Sequence, residues 1–369
     1  MMIPASLYHS IYLFLVSILT FFIYRKYKYK DSLYDDEARN TELFTILLVL
    51  VIALFIGLRP AGIPDCWKYF GDTHNYVQFY RTFFEGSDFT FNRNSGNLIF
   101  DNLFAWWGSA RLGYTSFFVL FSILYFTTAY LGISKLFPND KLVAYLVFLA
   151  AFSTYSYSVN GIKAGVATSL FIWAMGYRDN LKICIPLILI SWGFHHSMIM
   201  PVAAFVTTLF FKNPKLYFAI WAFCLLMALA HVTAFAHFFA GATTEHGAGY
   251  LLGDGTDDGT KGGFRLDFII YSAMPVIVGW YVVVKRQLEI SDMYRNLLNL
   301  YLCLNGVWML CMYANFTNRI AYLSWFLYPI VLIYPFLNED WGEDRYRKFS
   351  YVMLAHLGFT LFMDIIYYR

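Results

Sequence analysis

Residues 115–134 read TSFFVLFSILYFTTAYLGIS, a stretch without a charged side chain. A transmembrane helix needs about 20 consecutive, mostly apolar residues, so this stretch predicts one. Comparable runs recur along the chain and predict an all-α polytopic integral membrane protein with about 12 transmembrane helices. The predicted spans are residues 6–24, 43–58, 115–134, 142–158, 162–177, 183–196, 197–211, 216–236, 265–284, 296–314, 320–337 and 349–367.

The composition excludes several other classes of protein. Apolar residues make up 59% of the 369 residues and charged residues only 14%, whereas a soluble domain carries about 25% charged residues. The 27 Lys and Arg are nearly balanced by 24 Asp and Glu, so no basic surface is available for nucleic acid. Five cysteines are too few for a disulfide framework in a chain of this length.

The distribution of Lys and Arg predicts the orientation of the chain. With the N-terminus outside, the inner connections contain 17 of the 27 basic residues, as the positive-inside rule requires. The chain then forms one transmembrane domain over residues 1–369, with two long outer segments. Residues 59–114 include an amphipathic helix expected at the membrane interface over 97–112, and residues 237–264 form a glycine-rich loop. Cys66 is expected to react there with a membrane-impermeant thiol reagent, provided that it is not folded under the interface.

The other ten basic residues lie outside, and four of them share one feature: each is placed next to the end of a predicted helix. They are Arg59, Lys163, Arg265 and Arg319. Cations at helix N-termini attract anions, and a ring of them suits a pyrophosphate group. The alternatives are an interfacial anchor for Arg59, a small-residue packing turn around Lys163, and helix capping by the motifs of Arg265 and Arg319.

Acid–base candidates lie on the same predicted face. Asp72 follows Gly71 in the first outer segment, and His195 and His196 occupy an outer turn. Adjacent histidines project in different directions on a helix, so one metal ion is not expected to bind both; acid–base chemistry, phosphate contact and packing remain open. Asp267 is two residues from Arg265, a spacing at which helical side chains do not face each other, so the two are expected to serve different partners. No motif has metal-ligand spacing, and neither a metal nor a cofactor is expected.

These residues belong to short motifs that occur in order between positions 58 and 320. The motifs are Leu58-Arg59 followed by Gly71-Asp72 and Tyr76; Asn160-Gly161-Ile162-Lys163; Phe194-His195-His196-Ser197; Phe264-Arg265-Leu266-Asp267-Phe268; and Asn318-Arg319-Ile320. Their order, spacing and topology resemble the EpsG family of membrane exopolysaccharide and O-antigen polymerases, the Wzy-like group. Family members usually carry Arg-Gln where this chain has Lys163-Ala164. Lysine keeps the charge but lacks the two-donor fork of arginine.

The resemblance implies a multi-pass enzyme of the bacterial inner membrane whose active site faces the periplasm or cell exterior. It would transfer a glycan from undecaprenyl pyrophosphate to a hydroxyl of a second lipid-linked repeat, with flippase and chain-length regulator proteins as further partners and no metal. Asp72, His195 or His196 would take the acceptor proton. The substrate would be bound by Arg59, His74, Asn160, Lys163, Arg265, Asp267, Asn318 and Arg319.

Two other classes of membrane protein remain as alternatives. A lipid-linked glycan flippase or transporter would also gather cations, but repeat symmetry and charges at mid-helix depth are expected of it. A membrane acyltransferase that modifies glycans would need a buried catalytic histidine with access to an acyl donor from the inner side. The predicted position of the charges at outer helix ends favours the polymerase.

Overall fold

The computed structural model describes residues 3–28, 38–241, 263–314 and 317–367. Within these residues every secondary-structure element is helical, which confirms the all-α prediction. Among the described residues, four helices are long and apolar enough to cross a membrane, and a fifth crossing is added if one bent pair counts as a single span. The four are Ala5–Lys28, Tyr114–Leu136, Leu266–Lys285 and Thr317–Asn338.

Each of the twelve predicted spans coincides with a helix or a pair of helices, but twelve membrane crossings are not confirmed. Five further apolar helices have only 10–17 residues, fewer than the about 20 that a perpendicular span requires. They are Thr41–Gly57, Ile162–Gly176, Leu181–Phe194, His196–Phe210 and Pro214–Leu229.

The chain divides into two compact units, residues 1–198 with 343–369 and residues 199–342. The first contains α1 (Ala5–Lys28), α2 (Ala38–Gly57), α3 (Cys66–Phe70), α4 (Thr73–Phe79), α5 (Leu98–Ser109), α6 (Tyr114–Leu136), α7 (Lys141–Leu149), α8 (Phe152–Val159), α9 (Ile162–Gly176), α10 (Leu181–Phe194) and α18 (Arg345–Phe362). The second contains α11 (Ile199–Phe210), α12 (Pro214–Leu229), α13 (Ala234–Gly241), α14 (Leu266–Trp280), α15 (Asp292–Leu310), α16 (Thr317–Trp325) and α17 (Tyr328–Asn338). The single transmembrane domain over 1–369 stays a prediction.

Helix α6 lies at the centre of the first unit, where it packs against α2 and α9. Its contact with α9 depends on Gly132, because a Cβ atom there would lie 2.7 Å from the backbone nitrogen of Trp173. Small residues allow this close approach between apolar helices, whose association depends on packing. Helix α1 packs antiparallel to α18 in the same unit, which brings the start of one helix to the end of the other.

A break in the first unit separates α7 from α8, which are bent by 72°. The backbone carbonyls of residues 147–150 at this break each accept a hydrogen bond from a side chain. The donors are His356 Nε2 to Val147 at 3.0 Å, Thr154 Oγ1 to Phe148 at 2.6 Å, Tyr12 hydroxyl to Leu149 at 2.7 Å and Thr360 Oγ1 to Ala150 at 2.8 Å. Backbone groups away from water must be satisfied internally. These four side chains therefore stabilise the break, after which α8 begins and leads to Asn160.

The second unit is organised around α15, which packs against α11, α12 and α16. One of its buried polar residues, Asn305, is bonded to two neighbouring helices. Asn305 accepts a hydrogen bond from Trp221 Nε1 at 2.9 Å and donates one to Ser324 Oγ at 3.1 Å. A fully satisfied polar pair of this kind specifies how apolar helices align.

The first outer segment is helical where amphipathicity predicts it: α5 buries Phe100 and Phe104. The glycine-rich loop falls mainly on residues 242–262, which lie outside the described residues. The condition set for labelling of Cys66 is not met in the folded protein, since α3 turns that side chain inward and leaves it 0% exposed. Burial also raises the pKa of its thiol, which lowers the reactive thiolate fraction further.

Candidate functional site

A tight turn between α3 and α4 contains Gly71 and Asp72. Gly71 has φ 55° and ψ −125°, and Asp72 has φ −61° and ψ −10°. These angles are typical of the two central positions of a type II′ turn, whose first central position requires a positive φ and therefore favours glycine. The Gly-Asp motif thus has a conformational basis: glycine makes the turn and aspartate opens α4.

This turn contacts a second motif 88 residues further along the chain. The backbone nitrogen of Asp72 donates a hydrogen bond of 2.7 Å to Oδ1 of Asn160. The contact is close, since a Cβ atom on Gly71 would lie 2.3 Å from the same oxygen. Asn160 ends α8, and Lys163 lies in the first turn of α9 immediately after it. The fold therefore brings an acidic motif and a basic motif together. The sequence alone did not predict this contact.

The buried side chain of Arg59 fixes the position of this turn through hydrogen bonds. Its Nε and Nη2 donate to Thr73 Oγ1 at 3.0 and 2.8 Å, and Nη1 donates to the carbonyl of Ile56 at 3.1 Å. Thr73 in turn donates to the carbonyl of Val159. The guanidinium also lies 4.3 Å from the ring centroid of Phe118.

The interpretation of Arg59 as an interfacial anchor is wrong, because only 2% of the residue is exposed. Burial lowers the pKa of Arg59 to about 10, so the side chain stays protonated at neutral pH. Its hydrogen bonds tie the Asp72 turn to the Asn160 turn. Arg59 thus organises the two motifs from inside, and direct contact with a bulky substrate would require these bonds to change.

The first turn of α5 adds a third element to this cluster. Lys163 Nζ lies 5.7 Å from the ring centroid of Phe100, on which Tyr76 also packs at 5.6 Å. Asn97 precedes α5 but does not cap it. Its Oδ1 accepts instead from the backbone nitrogen of His196 at 3.2 Å and lies 3.1 Å from Nδ1 of the same residue. Helix α5 thus contacts both the Lys163 motif and the histidine motif.

Asn97 is a site residue that the sequence did not reveal. An asparagine before an amphipathic helix is typical of a helix cap, and nothing in its neighbourhood distinguishes it from one. His74, which the motif pattern did indicate, lies half-buried in the first turn of α4.

The two adjacent histidines are not arranged as on a helix. Helix α10 ends at Phe194, and His195 has extended backbone with φ −149° and ψ 118°. The rings of His195 and His196 therefore stack, 5.1 Å apart and within 12° of parallel, so the predicted divergence of the two side chains is wrong. His195 Nδ1 accepts a hydrogen bond of 3.2 Å from the backbone nitrogen of Ser197, and the side chain of His196 is exposed.

The second unit contains the motif around Arg265. Its Nε and Nη2 donate to Asp267 Oδ1 and Oδ2 at 2.9 and 2.6 Å, and the guanidinium stacks 3.6 Å from the ring of Phe268. The expectation that Arg265 and Asp267 serve different partners is therefore wrong. Arg265 is the residue before α14 and has φ −96° and ψ 75°, so the geometry of a regular helix does not apply to the pair.

Both members of this pair are largely buried, with side-chain exposures of 10% and 14%. Arg319 differs, since it is exposed in the first turn of α16, where Asn318 is half-buried. Thr317 before them accepts a hydrogen bond of 3.0 Å from Trp308 Nε1, which anchors the start of that helix. Arg319 is thus the more accessible cation of the two predicted in this unit.

Across the described residues, no group of three or more His, Cys, Asp or Glu side chains is placed to hold a metal ion. The arrangement in the first unit can instead act through charge and hydrogen bonding. It offers a carboxylate, a lysine at a helix N-terminus and an exposed histidine, positioned by Arg59, Asn97 and Asn160.

These features define a multi-pass helical membrane protein with polar motifs gathered at helix ends. Comparison with known families identifies it further: the sequence profile of the EpsG family matches residues 60–368. The chain belongs to the EpsG family, and membership indicates a role of the polysaccharide-polymerase type. Neither a search of curated proteins nor a search of solved structures found a match.

Proposed function

We propose that the protein joins lipid-linked oligosaccharide repeats on the outer face of the bacterial inner membrane, using undecaprenyl pyrophosphate as carrier and leaving group. The observation that carries the proposal is the hydrogen bond between Asp72 and Asn160. It joins the turn that contains Asp72 to the residue just before α9, whose first turn contains Lys163, in a chain of the EpsG family. An acid–base group next to an anion-binding helix end is what glycosyl transfer from a pyrophosphate requires.

The reaction breaks the bond between the anomeric carbon of the donor and its phosphate oxygen. The electron pair leaves with the pyrophosphate, whose growing charge needs stabilisation by fixed cations. Each unit has such a charge near the start of a helix: Lys163 at the N-terminus of α9 in the first unit, and Arg319 in the first turn of α16 in the second. Arg265 is held by Asp267, and Arg59 acts through Thr73, so these two support the binding surface more than they present free donors.

The acceptor hydroxyl must lose its proton as its oxygen attacks the anomeric carbon. Asp72, His195 and His196 are the candidates that the motifs offer for this step. Asn160, His74 and Asn318 would contact sugar hydroxyls through hydrogen bonds. The outside position of these motifs rests on the distribution of basic residues.

The membrane arrangement in this proposal has about twelve crossings. It counts the shorter apolar helices as crossings, together with α15 and α18. Helices of 14–17 residues fit where neighbouring 3₁₀ or π turns lengthen them, or where the bilayer thins around the protein. An N-terminus outside then puts the Asp72, Lys163 and His196 motifs at one membrane surface. Flippase and chain-length regulator proteins would meet the enzyme there.

The test uses purified protein in proteoliposomes supplied with undecaprenyl-pyrophosphate-linked repeats. We expect a ladder of longer lipid-linked glycans. If Asp72 is the base in this step, Asp72→Asn should lower its rate of formation by about 100-fold or more. Asp65→Asn is a matched control, because Asp65 lies in the same segment, is 61% exposed and pairs only at 3.5 Å with Lys68.

Two results would contradict the proposal. Movement of the lipid-linked repeat across the bilayer without elongation would identify a flippase. Acylated repeats of unchanged length, formed when an acyl donor is supplied, would identify an acyltransferase. Equal activity of Asp72→Asn and Asp65→Asn would leave the polymerase function but remove Asp72 from the site.

A further inference from the structure

A second polar cluster lies in the first unit where the start of α1 meets the end of α18. His9 Nε2 faces Asp364 Oδ2 at 3.5 Å. The imidazole also stacks on the ring of Tyr155, with centroids 4.2 Å apart and planes within 15°. None of these residues belongs to the motifs that suggested the function, and His9 precedes the segment matched by the family profile.

The cluster adjoins the candidate site. Tyr8, next to His9 on α1, donates a hydrogen bond of 3.3 Å to the carbonyl of Leu58. Its ring contacts Phe70 at 5.6 Å, immediately before the Gly71 turn. His9 therefore lies at the end of the first unit that contains Arg59 and Asp72.

Tyr155 connects the two sets of residues. It is only 7% exposed, and its hydroxyl has no hydrogen-bond partner among the described residues. Arg59 and Asp364 both lie near enough for their charges to act on the Tyr155 side chain. Buried hydroxyls are normally satisfied, so this unpartnered one beside the stacked His9 ring marks a place for a polar ligand group.

The side chains of His9 and Asp364 differ in solvent exposure, and this difference suits proton transfer by His9. The side chain of Asp364 is 11% exposed and that of His9 is 37% exposed. A shielded carboxylate thus faces one nitrogen of an accessible imidazole and leaves Nδ1 to meet a reactant. A base oriented by a third group in this manner is the arrangement that activates hydroxyl nucleophiles in many hydrolases and transferases.

We propose that His9, oriented by Asp364 and supported by Tyr155, is the general base that takes the proton of the acceptor hydroxyl. This proposal rests on the proposed polymerase function. His9 Nδ1 accepts the proton as the hydroxyl oxygen forms the new bond to the anomeric carbon. The bond from that carbon to the pyrophosphate oxygen breaks, and the electron pair leaves with the lipid pyrophosphate. Asp364 stabilises the imidazolium until it returns its proton to water.

The test measures initial rates of polymerisation in proteoliposomes for the wild-type protein, His9→Ala and Asp364→Asn. We expect His9→Ala to lose about 100-fold or more in kcat, within the usual range for a general base. Asp364→Asn, which preserves shape, should lower kcat by about tenfold or more and leave KM for the lipid-linked repeat unchanged. Added imidazole should restore part of the activity of His9→Ala. His237→Ala is the control, since His237 is exposed on α13.

The outcomes distinguish a catalytic role of His9 and Asp364 from a structural one. Full activity of His9→Ala beside an active wild-type protein overturns this proposal and leaves the polymerase function intact. Lost activity with a lowered melting temperature and no response to imidazole shows that His9 and Asp364 only hold α1 against α18, which also overturns it. A wild-type protein that makes no ladder removes the polymerase function and this proposal together.

Discussion

Replacing Gly71 with alanine tests whether the turn between α3 and α4 positions the candidate site. The substitution adds one methyl group at a residue with φ 55° and ψ −125°. The new Cβ would lie 2.3 Å from Asn160 Oδ1 and 2.7 Å from its Cγ. The turn must therefore open, or Asn160 must withdraw from the backbone nitrogen of Asp72.

Both consequences carry a cost. An L-residue in this sparsely populated backbone region costs about 1–3 kcal/mol, and loss of the partly buried hydrogen bond costs about 1 kcal/mol. The sum of about 2–4 kcal/mol depletes the closed turn by roughly 30-fold to several hundred-fold, because each 1.4 kcal/mol is a factor of ten. We expect the rate of polymerisation to fall by at least about 30-fold for the same reason.

The assay compares ladder formation by Gly71→Ala and Gly161→Ala. Gly161 lies in the facing turn, but its φ is −93° and an added Cβ would meet Tyr157 at 3.6 Å, an ordinary contact. Gly161→Ala should therefore keep nearly full activity. In an Asn160→Ala background, Gly71→Ala should cost less than in the wild-type protein, because the atom it strikes is absent.

Wild-type activity of Gly71→Ala would refute the reasoning, and so would equal losses in the two glycine variants. Strict additivity between Gly71→Ala and Asn160→Ala would show that the two turns are not coupled.

Three further outcomes are expected. Arg265→Lys should lower the melting temperature by several degrees as well as the activity, since the two-donor bond to the buried Asp267 carboxylate is lost; unchanged thermal unfolding would contradict this. Arg319→Lys should lower activity without lowering the melting temperature, because the side chain is exposed, and an equal loss of folded protein would argue for a structural role. Cys66 should resist impermeant maleimide in intact spheroplasts until the protein unfolds, because its side chain is buried. A cysteine in place of the exposed Asp65 should react at once if residues 59–114 lie outside. An Asp65→Cys variant that reacts only after permeabilisation would reverse the topology.

The site around Asp72 shows how far sequence reasoning reached. Short motifs identified Arg59, Asp72, Asn160 and Lys163 as polar residues at helix ends, because charges in so apolar a chain are costly unless they have a use. Their spacing along the chain did not reveal that Asn160 accepts from the Asp72 backbone or that Arg59 acts through Thr73. Hydrogen bonds between residues 88 positions apart depend on how helices pack, and packing is not encoded in any local pattern.

The predicted local geometry of two motifs was wrong for a related reason. His195 and His196 were assigned helical geometry, as were Arg265 and Asp267, yet each motif lies where a helix ends or begins. At such positions the backbone leaves the helical region, so neighbouring side chains can stack or pair although regular spacing forbids it. The pairs His9–Asp364 and Asn97–His196 had no local signal at all, since their members come from distant segments.

The sequence by itself determined that the chain is helical, that its helices are apolar enough for a membrane and that it belongs to the EpsG family, because long apolar runs and ordered motifs are properties of the linear chain. Tertiary structure decided which polar residues are buried and which remain accessible. The side chains of Arg59 and Arg265 are buried, whereas those of Arg319 and His196 are exposed. That division follows from the packing of helices around each residue, since the energetic cost of burying a guanidinium is met only where hydrogen-bond partners from other segments surround it.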